Sequence, residues 1–143
     1  MNTSSIHTFA EMLSDSEQCR TAIAPLTEQD MVTVNDAYAI QMENVARAVA
    51  MGQVISGKKI GLTSPGIQQQ LGVNEPDYGH LFAAMNCVDG KVVTSDLIQP
   101  KIEAELAFIL KSDLAGGKVT EDDVRLATDY IAGAFEIVDS RIA

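Results

Sequence analysis

Two carboxylates stand one residue apart in Pro100-Lys-Ile-Glu-Ala-Glu-Leu-Ala-Phe-Ile-Leu110. Ile102, Ala104, Leu106, Phe108 and Leu110 alternate with Glu103, Glu105, Ala107 and Ile109, the period of two that belongs to an extended strand. Glu103 and Glu105 therefore project from one face, a pleat apart. Like charges this close repel, and burying them uncompensated is costly. A hard divalent cation such as Mg²⁺ or Mn²⁺, which prefers oxygen ligands, removes that cost. The same face continues into Ala107 and Ile109, so the acids are expected to point into a wall rather than into solvent. A third acid, Glu136, lies on a strand predicted over Ala134–Arg141, where Phe135 and Ile137 lie opposite Glu136 and Val138. Three carboxylates from two neighbouring strands would offer one face of an octahedral site, leaving the remaining positions to water and substrate oxygens. The alternative is an exposed strand face that carries acids and no ion, because acid pairs mark sites only statistically.

The elements that must position these acids fall into two parts. The chain has 143 residues, nearly half of them apolar, which suits a single domain with a real core. Residues 1–52 read as a helical part and 53–143 as a β-rich catalytic part, an α+β class. Ile6, Phe9, Met12 and Leu13 recur at helical spacing over residues 4–17, with Ser4 or Ser5 as N-cap. A second helix is predicted from Asn35 to Met51, with Tyr38, Met42, Val45 and Val49 as its stripe and Gly52 just past its end. His7 has no evident partner and reads as surface. The net charge of −10 without a basic cluster argues against nucleic acid. Cys19 and Cys87 fit neither a disulfide framework nor a zinc signature and read as free thiols. No leader and no membrane-spanning run is visible, so the expected location is the cytoplasm and no membrane contact is expected.

After Gly52 the texture changes. Val54-Ile55 and Lys59-Ile60-Gly61-Leu62 read as short strands around Ser56-Gly57. Ser64 and Pro65 open a short helix that ends at Leu71-Gly72. Asn74-Glu-Pro-Asp-Tyr-Gly79 reads as a turn-forming loop, in which Asp77 is either an Asx-turn residue or a functional acid held over a site. His80, without a partner, is weak evidence for a site. Val88–Val93 carries a hairpin signal at Asp89-Gly90. Thr120 to Asp123 resembles a capping box opening a helix that runs to about Ile131 and buries Val124, Ala127 and Ile131.

Four ordered blocks, Lys59-Ile-Gly-Leu-Thr-Ser64, Leu71-Gly-Val-Asn-Glu-Pro-Asp-Tyr-Gly79, Pro100-Lys-Ile-Glu-Ala-Glu-Leu-Ala-Phe108 and Ala134-Phe-Glu-Ile-Val-Asp-Ser-Arg141, together resemble the 2-keto-4-pentenoate (2-hydroxypenta-2,4-dienoate) hydratases of the fumarylacetoacetate hydrolase superfamily. The similarity covers essentially the whole chain. It implies a helical part packed on a partial mixed sheet or roll, with Glu103, Glu105 and Glu136 as ligands of Mg²⁺ or Mn²⁺. It also implies active-site roles for Lys59 and Asp77, which moves Asp77 away from a purely structural reading. The implied reaction is hydration of a 2-hydroxy-2,4-dienoate to a 4-hydroxy-2-oxo acid, in meta-cleavage of aromatic compounds. Lys59 would stabilise an enolate or relay a proton, and Asp77 would orient or deprotonate water.

The sister 4-oxalocrotonate decarboxylases share the metal acids and give the second reading. Members of the family continue well beyond the point corresponding to Arg141-Ile-Ala143, so the chain is expected to lack a C-terminal portion of the sheet and to leave an exposed edge. A third reading follows, a non-catalytic shortened relative acting as partner subunit. The expected partners are a keto- or enol-acid substrate, further copies of the chain, and a decarboxylase relative.

Overall fold

Helix formers and clear capping signals dominate the first fifty residues, and these residues supply the core. The structure, a computed structural model, describes residues 1–87 and 89–143. Helix α1 spans Thr3–Cys19 and α2 spans Val34–Ala50. The cap of α1 is Asn2, whose side chain accepts from Ser5 N–H at 2.9 Å, not Ser4 or Ser5 as the sequence suggests. An Asn amide oxygen is as good an acceptor as a Ser hydroxyl, and with Asn2 as cap the helix begins at Thr3. Phe9, Ala10, Leu26 and Ile40 form the buried cluster, with Ile6, Met12 and Leu13 of the predicted stripe packed against it.

In α2 the buried face differs from the predicted stripe. Ile40 and Val45 are buried, whereas Met42 and Val49 are exposed. The face is set by what meets α1: Asn44 Nδ2 donates to the Ala10 carbonyl at 2.9 Å, and Asp36 accepts from the terminal ammonium of Met1 at 2.7 Å. Thr33 and Asp36 form a full capping box. His7 is exposed as expected but has partners, lying 3.1 Å from Glu43 and 3.3 Å from Glu11. Glu43 belongs to the other helix, which the local sequence does not reveal.

Bonds to the terminal ammonium, then to Thr33, hold the Asp36 carboxyl down from 3.8 to about 2. A depressed carboxylate contributes stability that is present above its unfolded value and lost as pH falls through the folded one. Acid unfolding of the parent is therefore expected to steepen between pH 3.8 and about 2. Asp36→Asn should flatten that limb in a circular-dichroism titration; an unchanged limb would show that this contact does not couple the helices.

Two antiparallel strand pairs follow. Strand β1, Ile55–Gly61, pairs with β2, Asp77–Phe82, in a register running from Ile55↔Phe82 to Gly61↔Asp77. The two short strands expected around Ser56-Gly57 are one, because a bulge between Ile55 and Gly57 absorbs the irregularity. Helix α3, Pro65–Leu71, lies between them and ends on left-handed Gly72. The predicted loop over residues 74–79 is shorter than expected, since Asp77-Tyr78-Gly79 already belongs to β2.

Strand β3, Lys101–Leu110, pairs with β4, Thr128–Val138, over their full lengths. Helix α4 is confined to Glu121–Ala127, capped by the Thr120–Asp123 box. The helix predicted to reach Ile131 stops four residues early. Thr128, Tyr130 and Ile131 are β-formers, and pairing with Leu110, Ile109 and Phe108 decides their state. Ile131, expected in the core, is exposed. The last strand likewise runs over 128–138 rather than 134–141. Asp89-Gly90 forms a turn but residues 91–93 are not strand, so no hairpin forms on that side; Val88 lies outside the described residues.

The closing segment returns to α1. Arg141 donates to Glu17 at 2.8 and 3.0 Å, and Ile142 makes a parallel bridge with Ile23. The architecture is α+β, a helix pair joined to two strand ribbons. No helix among the described residues is long and apolar enough to cross a membrane.

Candidate metal and catalytic site

The β3–β4 register places Glu103 directly opposite Glu136, with Glu105 opposite Ala134. Alternation puts Glu103 and Glu105 on one face of β3, and a residue directly across an antiparallel pair shares that face. One oxygen from each of Glu103, Glu105 and Glu136 lies within 4.8 Å of the others. Glu136 is half-buried, while Glu103 and Glu105 are exposed. The expected wall is therefore lacking over β3. From β1, a side chain reaches this face of the ribbon at Glu136.

The approach is made by Lys59. Its Nζ lies 3.9 Å from Glu136 Oε1 and 3.7 Å from Asp77 Oδ1. One ammonium thus links the two ribbons, and the five residues singled out from the sequence form one connected group. Desolvation raises the Glu136 carboxyl above its ordinary range. Lys59 opposes the shift, while Glu103, Glu105 and Asp77 add to it. A carboxylate pushed upward by burial and by like charges is short of cationic compensation, and one ammonium shared with Asp77 does not supply it. Three convergent carboxylate oxygens are a donor set that a small hard cation can take.

Asp77 Oδ1 is buried without a hydrogen-bond partner among the described residues, because 3.7 Å to Lys59 is an ion-pair contact too long for a hydrogen bond. The Asp77 side chain as a whole is half exposed, so the carboxylate keeps an open side although Oδ1 itself is covered. The opposite face of β2 serves packing. Tyr78 stacks on Tyr38 of α2 with ring centroids 4.4 Å apart, and Gln41 donates to the Tyr78 carbonyl at 3.2 Å. His80 falls on this second face by alternation, away from Asp77, and its Nδ1 is buried without a partner among the described residues. It is not part of the acid group.

Two residues at the site carry no side chain and escape a search for chemistry-bearing types. Gly79 stands opposite Lys59, and Gly61 opposite Asp77. Glycine inside a strand is itself a signal of close approach, although the sequence does not say to what. Just beyond Gly61, Leu62 adopts a left-handed conformation at φ 54°, and Gln68 of α3 donates to its carbonyl at 2.6 Å. This turns the chain out of β1 immediately after the site.

No protein-family profile matches the chain. Among curated proteins it is 47% identical over 137 residues to the 2-keto-4-pentenoate hydratase of Paraburkholderia xenovorans (strain LB400), covering 94% of this chain and 51% of the relative. It is 41% identical over 145 residues to a 2-hydroxypent-2,4-dienoate hydratase of Pseudomonas putida, covering 99% of this chain and 65% of the relative. The chain thus spans about half to two-thirds of the length of these relatives. Among solved structures it is similar to 4-oxalocrotonate decarboxylase from Pseudomonas putida G7 complexed with magnesium and adipate. That match has a TM-score of 0.91 and 37% identity, covering 99% of this chain and 55% of the other. The same decarboxylase complexed with calcium and acetate matches with a TM-score of 0.92.

Proposed function

Because the chain belongs to the 2-keto-4-pentenoate hydratase family, we propose that it serves divalent-metal-dependent hydration of a 2-hydroxy-2,4-dienoate to a 4-hydroxy-2-oxo acid, in meta-cleavage catabolism of aromatic compounds. The observation that carries the reading is the convergence of Glu103, Glu105 and Glu136 beside a lysine shared with Asp77. These three carboxylates would hold Mg²⁺ or Mn²⁺, and the bound ion would supply Lewis-acid stabilisation of negative charge on a substrate oxygen.

The remaining chemistry is proton traffic by the chain's own residues. Ketonisation removes the C2 hydroxyl proton and adds a proton at C5, leaving an α,β-unsaturated ketone. Water then adds its oxygen at C4 and a proton at C3. Lys59, an ammonium at the border of the acid group, would offset negative charge building on the C2 oxygen and pass a proton. Asp77, whose side chain is half exposed beside Lys59, would orient the attacking water and take its proton.

The second reading is decarboxylation of a 4-oxalocrotonate-type acid, favoured by the likeness to the decarboxylase. Incubation with each acid and Mg²⁺, following loss of dienol absorbance together with CO₂ release, separates the two. Hydrated product without CO₂ is expected, and CO₂ release from the dicarboxylic acid would replace the first reading by the second. Exposed free thiols at Cys19 and Cys87 favour a reducing compartment, the cytoplasm. The apolar face of the β3–β4 ribbon, with Ile102, Leu106, Phe108 and Phe135 exposed, favours self-association or pairing with a decarboxylase relative.

A further inference from the structure

Resting on that reading, we propose that Gly61 and Gly79 are positioning residues that keep the space in which Lys59 and Asp77 meet. The β1–β2 ladder arranges four residues in a crossed pattern, Lys59 opposite Gly79 and Gly61 opposite Asp77. The two functional side chains occupy one diagonal and the two glycines the other. Neither glycine is among those with a left-handed φ, so the backbone at both positions is one that any residue can adopt. The reason for glycine is therefore space rather than conformation.

A methyl group at Gly61 would overlap the Asp77 carboxylate oxygen, with Asp77 Cγ at 3.3 Å and Lys59 Nζ at 3.0 Å. A methyl group at Gly79 would press on the Lys59 stem, 3.3 Å from Cγ and 3.4 Å from Cδ. The contact at Gly61 is the severe one. Asp77 has a short side chain with few rotamers, and moving its carboxylate off Gly61 moves it relative to Lys59. At Gly79 a small shift of a flexible stem suffices, so the effect there is smaller and falls on Lys59 alone.

The test compares Gly61→Ala in the parent and in Asp77→Ala. Turnover of the dienoate by Gly61→Ala is expected to fall about tenfold or more in kcat with KM little changed, because a displaced group loses its alignment rather than its substrate. In the Asp77→Ala background the same substitution is expected to cost less than about twofold, since its target is gone. A second readout needs no activity: the Lys59 ¹⁵Nζ resonance, identified by its loss in Lys59→Met, should move in Gly61→Ala toward its position in Asp77→Ala. An unmoved resonance in folded Gly61→Ala overturns the proposal, as does an equal turnover loss in both backgrounds. A moved resonance in a protein that turns over no dienoate keeps the proposal and removes the hydratase reading. If Gly61→Ala does not fold, the double variant decides. A folded double variant supports the clash with the carboxylate, and an unfolded one assigns Gly61 to the backbone and overturns the proposal.

Discussion

Glu105→Ala is expected to lose Mg²⁺ binding and dienoate hydration together while the fold stays intact. Glu105 is exposed and faces Ala134 across the ladder, so truncation removes no packing. Its cost falls on the ion. With one of three convergent carboxylates gone, affinity should drop by about 100-fold or more, at least the loss usual when even a supporting group of a metal site is removed. If the Lewis acid contributes about 4 kcal/mol to the transition state, turnover falls by about 10³-fold. Calorimetry and a progress curve check both. Hydration that persists in this variant after chelator treatment would remove the metal from the chemistry.

Lys59→Ala should separate the two functions that Glu105→Ala removes together. Turnover is expected to fall by about 10²- to 10⁴-fold, the range for loss of a positioned proton-transfer group, while Mg²⁺ still binds at neutral pH. The pH dependence gives the sign of the electrostatics. Lys59 is the cation that holds Glu136 down against desolvation and its acidic neighbours. Without it the Glu136 carboxyl rises further and is protonated at a higher pH, so Mg²⁺ should be lost earlier as the solution is acidified. Unchanged turnover would take Lys59 out of the mechanism, and an unchanged acid limit of binding would show that its charge does not reach Glu136.

Much of this site was legible because its signals are local. The period of two in residues 102–110 places Glu103 and Glu105 on one face without any knowledge of the partner strand. The Thr120–Asp123 box and the Pro65 and Gly72 boundaries of α3 follow from backbone groups that need partners within a turn. What was not legible depends on the partner. Thr128 to Ile131 continues a helical pattern on paper, and only the β3 ladder makes it strand. From the local residues Asp77 is open between a turn residue and a site acid, the family resemblance moves it to the site, and only the β1–β2 ladder shows what it faces. The exposure of Glu103 and Glu105 depends on which element covers their face, and the space kept by Gly61 and Gly79 exists only between paired strands.

Titration of Mg²⁺ into metal-free protein by calorimetry tests the shared ion most directly. One ion per chain is expected in the parent, and none when Glu103, Glu105 and Glu136 are all replaced by glutamine with the circular-dichroism spectrum unchanged. Equal binding in the folded triple variant, or no binding in the folded parent, would contradict the claim that these three acids hold one divalent cation.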